Sequence, residues 1–184
     1  SMVNHLISLL DYLQLNKVFV IGHDWGTNTA SRFALHHPER TLGLVLISVD
    51  YVPPAMFDLD QVLTYTKARC GFEILGYWKF FNSTDAAKII ENNLESFIDI
   101  TYANNRTLTV TDFVPLGKLR QWLVNRKRTD RASYITQNDY KIIHEYLADG
   151  MQPKLNWYKA AIDNIDWEDE KNLDPVIRRP VLLI

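Results

Sequence analysis

Hydrophobic positions divide this chain into a part that alternates strands with helices and a part made of helices alone. Residues 18–21 form a short, partly β-branched apolar run, which predicts a buried strand of a parallel sheet. Residues 27–35 then place apolar side chains at helical spacing, and residues 42–48 form a second apolar run. A strand, a helix and a strand in this order predict a parallel sheet joined by a crossover helix.

After residue 54 the pattern is that of helices only. Apolar side chains recur at helical spacing over residues 85–102, 136–148 and 155–162, which predicts three helices. The acidic residues that follow, 163–174, predict a solvated linker. A helical insertion of this kind is expected to lie over the carboxyl ends of the strands, where ligands bind in open α/β folds.

The helix predicted over residues 136–148 carries its own start and stop signals. Thr136 and Asp139 have the spacing of a capping box. Gly150 follows the last apolar position and predicts the end of the helix.

The two ends of the chain bear on its domain organisation. Residues 2–13 predict a helix that leads directly into the first strand, and residues 179–184 begin an apolar strand in which the chain stops. We therefore interpret the chain as the central piece of a longer α/β protein. Its predicted domains are a first core segment, 1–54, an inserted helical cap (lid) domain, 55–172, and a return to the core, 173–184.

The composition of the chain indicates which partners and which cellular location to expect. The 184 residues are 47% hydrophobic and 23% charged, with a net charge of -2, so nucleic acid is not an expected partner. The basic stretch 118–131 is interpreted as a solvated surface. Cys70 is the single cysteine, so no disulfide within the chain is expected, and we predict a cytoplasmic location. We expect its side chain to be buried as a small apolar group. No apolar run is long enough to predict a membrane span.

The connection between the first strand and the first helix is the strongest candidate for chemistry. Only about five residues join them, so the chain must reverse sharply. Gly22 and Gly26 flank Asp24 at two residues' distance on each side, where a Cβ is expected to collide with neighbouring backbone. This is the spacing of a nucleophile elbow, with aspartate in place of serine. A carboxylate can attack carbon without first losing a proton. The alternative is that Asp24 only caps the helix.

Several segments together resemble one family. Gly-His-Asp-Trp-Gly at residues 22–26, Pro-Glu-Arg at 38–40, Gly-Tyr-Trp-Lys-Phe-Phe at 76–81 and Leu-Asn-Trp-Tyr at 155–158 are similar to segments of the soluble epoxide hydrolases of the α/β-hydrolase fold. The resemblance covers most of the chain and is weakest over residues 101–136. It implies a partial α/β-hydrolase sheet with an inserted helical cap.

The resemblance also implies a role for individual residues. Asp24 would attack an epoxide carbon and form an alkyl-enzyme ester, while Tyr77 and Tyr158 would hold and protonate the epoxide oxygen. The backbone N–H of Trp25, directly after the nucleophile, would form half of an oxyanion hole. The substrates would be a small epoxide and water, and we expect neither a metal nor a cofactor.

Two further aromatic residues are expected at the substrate pocket. These are Trp78 and Phe81.

The acid and the histidine that would complete the mechanism are expected beyond Ile184, so the piece alone is expected to be inactive. Asp50, directly after the second predicted strand, is a possible substitute acid. His23 precedes the nucleophile and is interpreted as structural. The remaining histidines lie in predicted helices or at a helix end and are not expected to act as the base; they are His5, His36, His37 and His144.

Two other functions stay open. A haloalkane dehalogenase would use the same aspartate, with Trp25 and Trp78 as donors to the departing halide. A hydrolase-fold protein that only binds ligands would show the same elbow without catalysis. The tyrosine pair and His23 favour the epoxide hydrolase.

Overall fold

The computed structural model describes residues 2–184; Ser1, the first residue of the predicted segment 1–54, lies outside the described residues. The described chain divides into two compact units. The first unit comprises the chain up to Met56 together with Asn164–Ile184, and the inserted unit is Phe57–Asp163. The domain segments proposed from the sequence stay a prediction.

The first unit contains a three-stranded parallel sheet in the order β1, β2, β3. The strands are β1 (Val18–His23), β2 (Thr41–Ile47) and β3 (Val181–Leu183), and helix α2 (Trp25–His36) connects the first two. Both predicted strands and the crossover helix are therefore confirmed. Because β2 pairs directly with β3, the inserted unit interrupts the chain between two neighbouring strands.

Helix α2 packs on one face of this sheet. Ala30 and Ala34 of α2 form a buried cluster with Leu44 and Leu46 of β2. Burial alternates along β1, where Phe19 is 68% exposed. The prediction of a buried β1 is therefore wrong: successive side chains of a strand point to opposite faces, and the face that carries Phe19 and Ile21 is exposed. Helix α1 (Met2–Tyr12) and a short 3-10 turn complete the segment before β2.

The inserted unit is built on helices around its own apolar core. The buried side chains of that core include Phe80, Ile90, Ile98 and Leu123. The helices are α3 (Leu59–Cys70), α4 (Gly76–Phe81), α5 (Ala86–Glu91), α6 (Leu94–Thr101), a π-helical turn (Thr109–Phe113), α7 (Lys118–Val124), α8 (Gln137–Ala148) and α9 (Gln152–Ile162). Within residues 2–184 we find no helix with the length and apolar character needed to cross a membrane.

The prediction of one continuous helix over residues 85–102 is wrong. The structure has two shorter helices there, α5 and α6. The break falls at Asn92 and Asn93. The Asn93 side chain donates to the Ile89 carbonyl at 2.8 Å, and its backbone has a φ of −135°. An asparagine side chain that bonds to the backbone in this way can interrupt a helix. The apolar spacing continues through the interruption, so the spacing alone predicted one helix.

The start and stop signals of α8 are confirmed. Thr136 accepts from the Asp139 backbone at 3.1 Å, and the Asp139 side chain accepts from the Thr136 backbone at 2.9 Å. Gly150, just after the helix, has a φ of +102°. The predicted helix over residues 155–162 begins earlier, as α9, with a proline in its first turn.

Two predictions about the surface are wrong. Cys70 is exposed, because it is the last residue of α3 and Gly71 ends that helix in the left-handed conformation. The acidic stretch 163–174 is not simply a solvated linker, since it contains α10 (Trp167–Glu170) and the buried carboxylate of Glu170. That carboxylate forms an ion pair with Arg32.

The basic stretch 118–131 is joined to carboxylates of the same unit. Arg120 donates to both carboxylate oxygens of Asp85. Arg128 and Arg131 each donate to Asp99 at 2.6 Å, and Asp99 is buried. These pairs account for much of the charge in the stretch.

Candidate functional site

Asp24 occupies the turn between β1 and α2 in a backbone conformation that side chains rarely adopt. Its φ is +52° and its ψ is −121°, close to the mirror image of the extended region. Only glycine enters that region readily. An ordinary capping aspartate has an extended backbone, as Asp58 does at the start of α3 with a φ of −111°. The connection at Asp24 is therefore a strained, sharp turn, unlike the cap that Asp58 forms.

The two glycines around Asp24 differ in the space available for a side chain. A Cβ on Gly22 would overlap the Gly26 carbonyl and lie 2.7 Å from the Thr27 Cα. At Gly26 itself a Cβ would meet no atom outside the helix, so the expected collision there is wrong. The close approach of the helix to the end of β1 thus requires a glycine at position 22 only.

Hydrogen bonds hold the Asp24 backbone and one of its carboxylate oxygens. The backbone N–H donates to the Ile47 carbonyl at the end of β2, at 3.2 Å. Thr27 donates to the Asp24 carbonyl from its hydroxyl at 2.7 Å and from its N–H at 3.0 Å. The Trp25 N–H donates to Asp24 Oδ2 at 2.7 Å. Asp24 is exposed, so its carboxylate can be approached in the described chain.

Four predicted site residues lie together in the inserted unit. The ring centroids of Tyr77 and Tyr158 are 6.0 Å apart at an interplanar angle of 74°. Phe81 contacts both rings, at 5.3 Å and 4.7 Å, and Trp78 lies 5.3 Å from Tyr158. We call these four residues the aromatic cluster. Such edge-to-face contacts favour a fixed arrangement of the rings.

Helices α4 and α9 position the aromatic cluster. Gly76 begins α4 where a Cβ would lie 2.7 Å from the Cα of Leu116, so the loop before α7 passes directly against the helix. The Tyr77 N–H donates to the Val114 carbonyl at 3.1 Å. Lys159 of α9 donates to the Asn82 carbonyl at the end of α4, at 2.9 Å. These contacts fix the two tyrosine-bearing helices within their unit.

Two aromatic neighbours were not predicted from the sequence. Phe113 lies 5.3 Å from Tyr77, and Phe57 lies 5.3 Å from Trp78. Phe113 belongs to a π-helical turn, a feature that is frequent at functional sites but has no clear signature in the hydrophobic pattern. Phe57 stands alone after a proline-rich loop. Neither had a repeating pattern that marked it.

The other candidate residues occupy the first unit or the helices. Asp50 is exposed, and its carboxylate accepts from the Tyr51 N–H at 2.6 Å. His23 is exposed at the end of β1. His144 packs against the ring of Tyr140 in α8. The roles considered for Asp50 and His23 stay predictions.

Among residues 2–184, no group of three or more histidine, cysteine or acidic side chains is arranged to hold a metal ion.

The chain is similar to a known protein family and to several known proteins. The alpha/beta hydrolase fold family matches residues 1–183. Epoxide hydrolase 3 of Siraitia grosvenorii is 27% identical over 172 residues, which are 90% of this chain and 50% of that protein. Bifunctional epoxide hydrolase 2 of Mus musculus is 25% identical and matches 97% of this chain and 32% of its own length. A solved epoxide hydrolase from an endophytic Streptomyces is 25% identical, with a TM-score of 0.72 over 98% of this chain and 55% of that one.

These similarities confirm the predicted fold class and the resemblance on which it was based. The chain spans half the length of the Siraitia protein and about a third of the Mus musculus protein. Because the family match extends over nearly all of its residues, the chain belongs to the α/β-hydrolase fold family.

Proposed function

We propose that the protein hydrolyses epoxides to vicinal diols, with the Asp24 carboxylate as the nucleophile. The observation that carries the proposal is an aspartate held at a φ of +52° on a strand-to-helix turn. Such a turn presents a side chain for attack at the carboxyl end of a strand. The similarity of the chain to several proteins named epoxide hydrolases supports the choice of substrate class.

In the first step, one carboxylate oxygen of Asp24 would attack an epoxide carbon. The bond from that carbon to the ring oxygen would break, and an ester to Asp24 would form. Since the Trp25 N–H already binds Oδ2, we assign the attack to Oδ1 and the ester carbonyl to Oδ2. The ring oxygen would leave as an alkoxide that remains attached to the substrate.

Tyr77 and Tyr158 would donate to this alkoxide. An ordinary phenol, with a pKa near 10, is protonated at neutral pH, yet it is far more acidic than the alcohol that would form. Their rings pack edge to face with centroids 6.0 Å apart, so the two side chains lie side by side within the inserted unit. Trp78 and Phe81, packed against Tyr158, would provide apolar walls for the carbon part of the substrate.

In the second step, water would attack the ester carbonyl. Negative charge would then develop on Oδ2, where the Trp25 N–H already donates at 2.7 Å. The bond between the carbonyl carbon and Oδ1 would break, so the diol would leave with Oδ1 and Asp24 would retain an oxygen from water. We assign the histidine base to no residue of this chain, and Asp50 stays a candidate for its acid partner. The cytoplasmic location inferred from the sequence stays a prediction.

This oxygen transfer gives a direct test in the full-length protein. Styrene oxide in limiting amount is converted in water enriched in ¹⁸O, and the diol and the Asp24 peptide are weighed by mass spectrometry. We expect unlabelled diol and ¹⁸O in Asp24 after the first turnover. Labelled diol at the first turnover would refute ester formation, because water would then have attacked the epoxide directly.

Variants test the assigned residues. Asp24→Asn should abolish the ester, and the double variant Tyr77→Phe with Tyr158→Phe should lower its rate of formation by about 10²- to 10⁴-fold. Tyr102→Phe is the matched control, because Tyr102 is a partly buried tyrosine packed on the core of the same unit. An undiminished rate in the double variant would exclude the tyrosines as acids. Halide release from 1-chlorohexane without diol formation would instead favour a haloalkane dehalogenase, and no ester with either substrate a binding protein.

A further inference from the structure

Helix α2, which begins after Asp24, carries a buried arginine that the proposed reaction does not use. Arg32 is 8% exposed. A buried guanidinium is costly unless it is paired and hydrogen-bonded. Its partners therefore indicate what this charge holds in place.

The partners of Arg32 come from the two segments that connect the units. Its Nη1 donates to the Val52 carbonyl at 2.7 Å, on the segment that runs from β2 to Met56. Its Nε lies 2.8 Å from Oε1 of Glu170, on the segment that returns from Asn164 to β3. Glu170 is 9% exposed. One side chain of α2 thus binds the outgoing and the returning segment.

A second contact joins these two segments to each other. The Tyr51 hydroxyl donates to the Pro175 carbonyl at 2.5 Å, and burial raises the pKa of this phenol. Tyr51 and Ile177 also pack against the cluster formed by α2 and β2. Both connecting segments are therefore fixed to the layer of the first unit that carries the elbow. We call Arg32, Glu170 and the bound Val52 carbonyl the connector clamp.

We propose that Arg32 is a positioning residue, whose connector clamp holds both chain connections to the inserted unit against the helix that begins at Asp24. This inference rests on the proposed function, in which Asp24 and the two tyrosines act on one substrate. Attack on an epoxide requires the nucleophile and the proton donors at the same time. Loosening the two connecting segments should therefore slow ester formation.

The charge arrangement explains why arginine is suited to this position. Its guanidinium is planar and carries several N–H groups, so Nη1 donates to a carbonyl while Nε forms an ion pair with a carboxylate. A lysine has a single nitrogen on a flexible stem and cannot reproduce both contacts in the same geometry. Arg32→Lys retains the charge beside Glu170 and loses the two-segment contact.

The first measurement does not depend on catalysis. Hydrogen exchange of the full-length protein is followed by mass spectrometry in peptides that cover residues 49–56 and 164–176. Arg32→Met should accelerate exchange in both peptides by about tenfold, because opening of these segments becomes easier. Glu170→Gln should accelerate the returning segment more than the outgoing one. Unchanged exchange in both peptides of folded Arg32→Met would overturn the clamp whether or not the protein opens epoxides.

The second measurement uses the rate of ester formation with styrene oxide. Arg32→Met should reduce it by about tenfold, and Arg32→Lys should give an intermediate value. In the background of Tyr77→Phe with Tyr158→Phe, the same change should cost less than about twofold, because no donor remains to be positioned. An equal loss in both backgrounds would overturn the positioning role.

Arg40→Met is the matched control. Arg40 also binds two backbone carbonyls and a carboxylate, with Asn16, Leu15 and Asp11 as its partners, but none of them lies on a connecting segment. Its removal should lower stability without accelerating exchange at residues 49–56 and 164–176. Equal effects of the two variants on exchange and on ester formation, at matched fractions folded, would reduce Arg32 to general stabilisation.

Discussion

Replacement of Asp24 by glycine should stabilise the protein while it removes the proposed nucleophile. At a φ of +52° and a ψ of −121°, a side chain costs about 1–3 kcal/mol, whereas glycine adopts the conformation without strain. The lost hydrogen bond to the Trp25 N–H subtracts only a few tenths of a kcal/mol when glycine replaces a capping residue. The greater freedom of glycine in the unfolded chain subtracts about 0.5–1 kcal/mol. We therefore expect Asp24→Gly to raise the free energy of unfolding by about 1 kcal/mol.

Asp58→Gly provides the matched comparison. Asp58 also caps a helix, accepting from the Gln61 N–H at 3.0 Å, but with an extended backbone at a φ of −111°. Glycine relieves no strain there, so the same change should lower the free energy of unfolding by about 0.5–1 kcal/mol. Urea unfolding of both variants measures the two changes in the free energy of unfolding. The comparison requires that the slope of that free energy against urea concentration is the same in both.

The sign of the change in the free energy of unfolding in Asp24→Gly distinguishes a strained nucleophile from an ordinary helix cap. A strained nucleophile predicts opposite signs for the two variants, together with loss of ester formation in Asp24→Gly. If both variants lose stability by a similar amount, the backbone at Asp24 stores no strain and the residue is an ordinary helix cap. Retained ester formation in Asp24→Gly would exclude Asp24 as the nucleophile whatever the stability.

Two further predictions concern packing and acid stability. Gly22→Ala should cost about 1–3 kcal/mol by forcing the start of α2 away from β1, whereas Gly26→Ala should be neutral or stabilising, and thermal unfolding of both variants checks the difference. The side-chain hydrogen bonds from Arg120 hold the pKa of Asp85 well below its usual range, so this pair contributes stability above the unfolded pKa, near 4, that is lost as the pH falls through the lower folded value. Asp85→Asn should therefore lower the unfolding temperature at neutral pH and flatten its decline below about pH 4, and an unchanged acid limb would contradict the assignment.

Local signals in the sequence predicted the elements whose stabilising contacts are also local. The capping box of Thr136 and Asp139 spans three positions, and the structure has both of its hydrogen bonds. The break between α5 and α6 was missed because the apolar spacing continues through it, while the side chain of Asn93 takes a hydrogen bond of the backbone. Periodicity reports which face is buried, and it does not report every interruption of the helix beneath that face.

The candidate site was predictable to the extent that its residues are close in the sequence. The spacing of Gly22 and Asp24 indicated a sharp turn, and the φ of +52° agrees with it. Arg32 gave no such signal. Its partners, Val52 and Glu170, come from two segments that meet only in the folded chain, so an arginine in an amphipathic helix was indistinguishable from an exposed one.

The two interpretations of Asp24, helix cap and nucleophile, are compatible in one geometry. Its Oδ2 accepts from the Trp25 N–H, as a capping oxygen would, and this bond leaves Oδ1 available for attack. In the proposed ester, Oδ2 becomes the carbonyl oxygen, and the N–H that caps the helix becomes the donor to the developing negative charge. With the backbone of Asp24 in this strained conformation, its carboxylate accepts from the first N–H of α2, and Gly22 leaves room for the Gly26 carbonyl and the Thr27 Cα. A cap in the ordinary extended conformation accepts from an N–H further along the helix, as Asp58 does from Gln61, and it does not place a carboxylate oxygen against the residue that follows it.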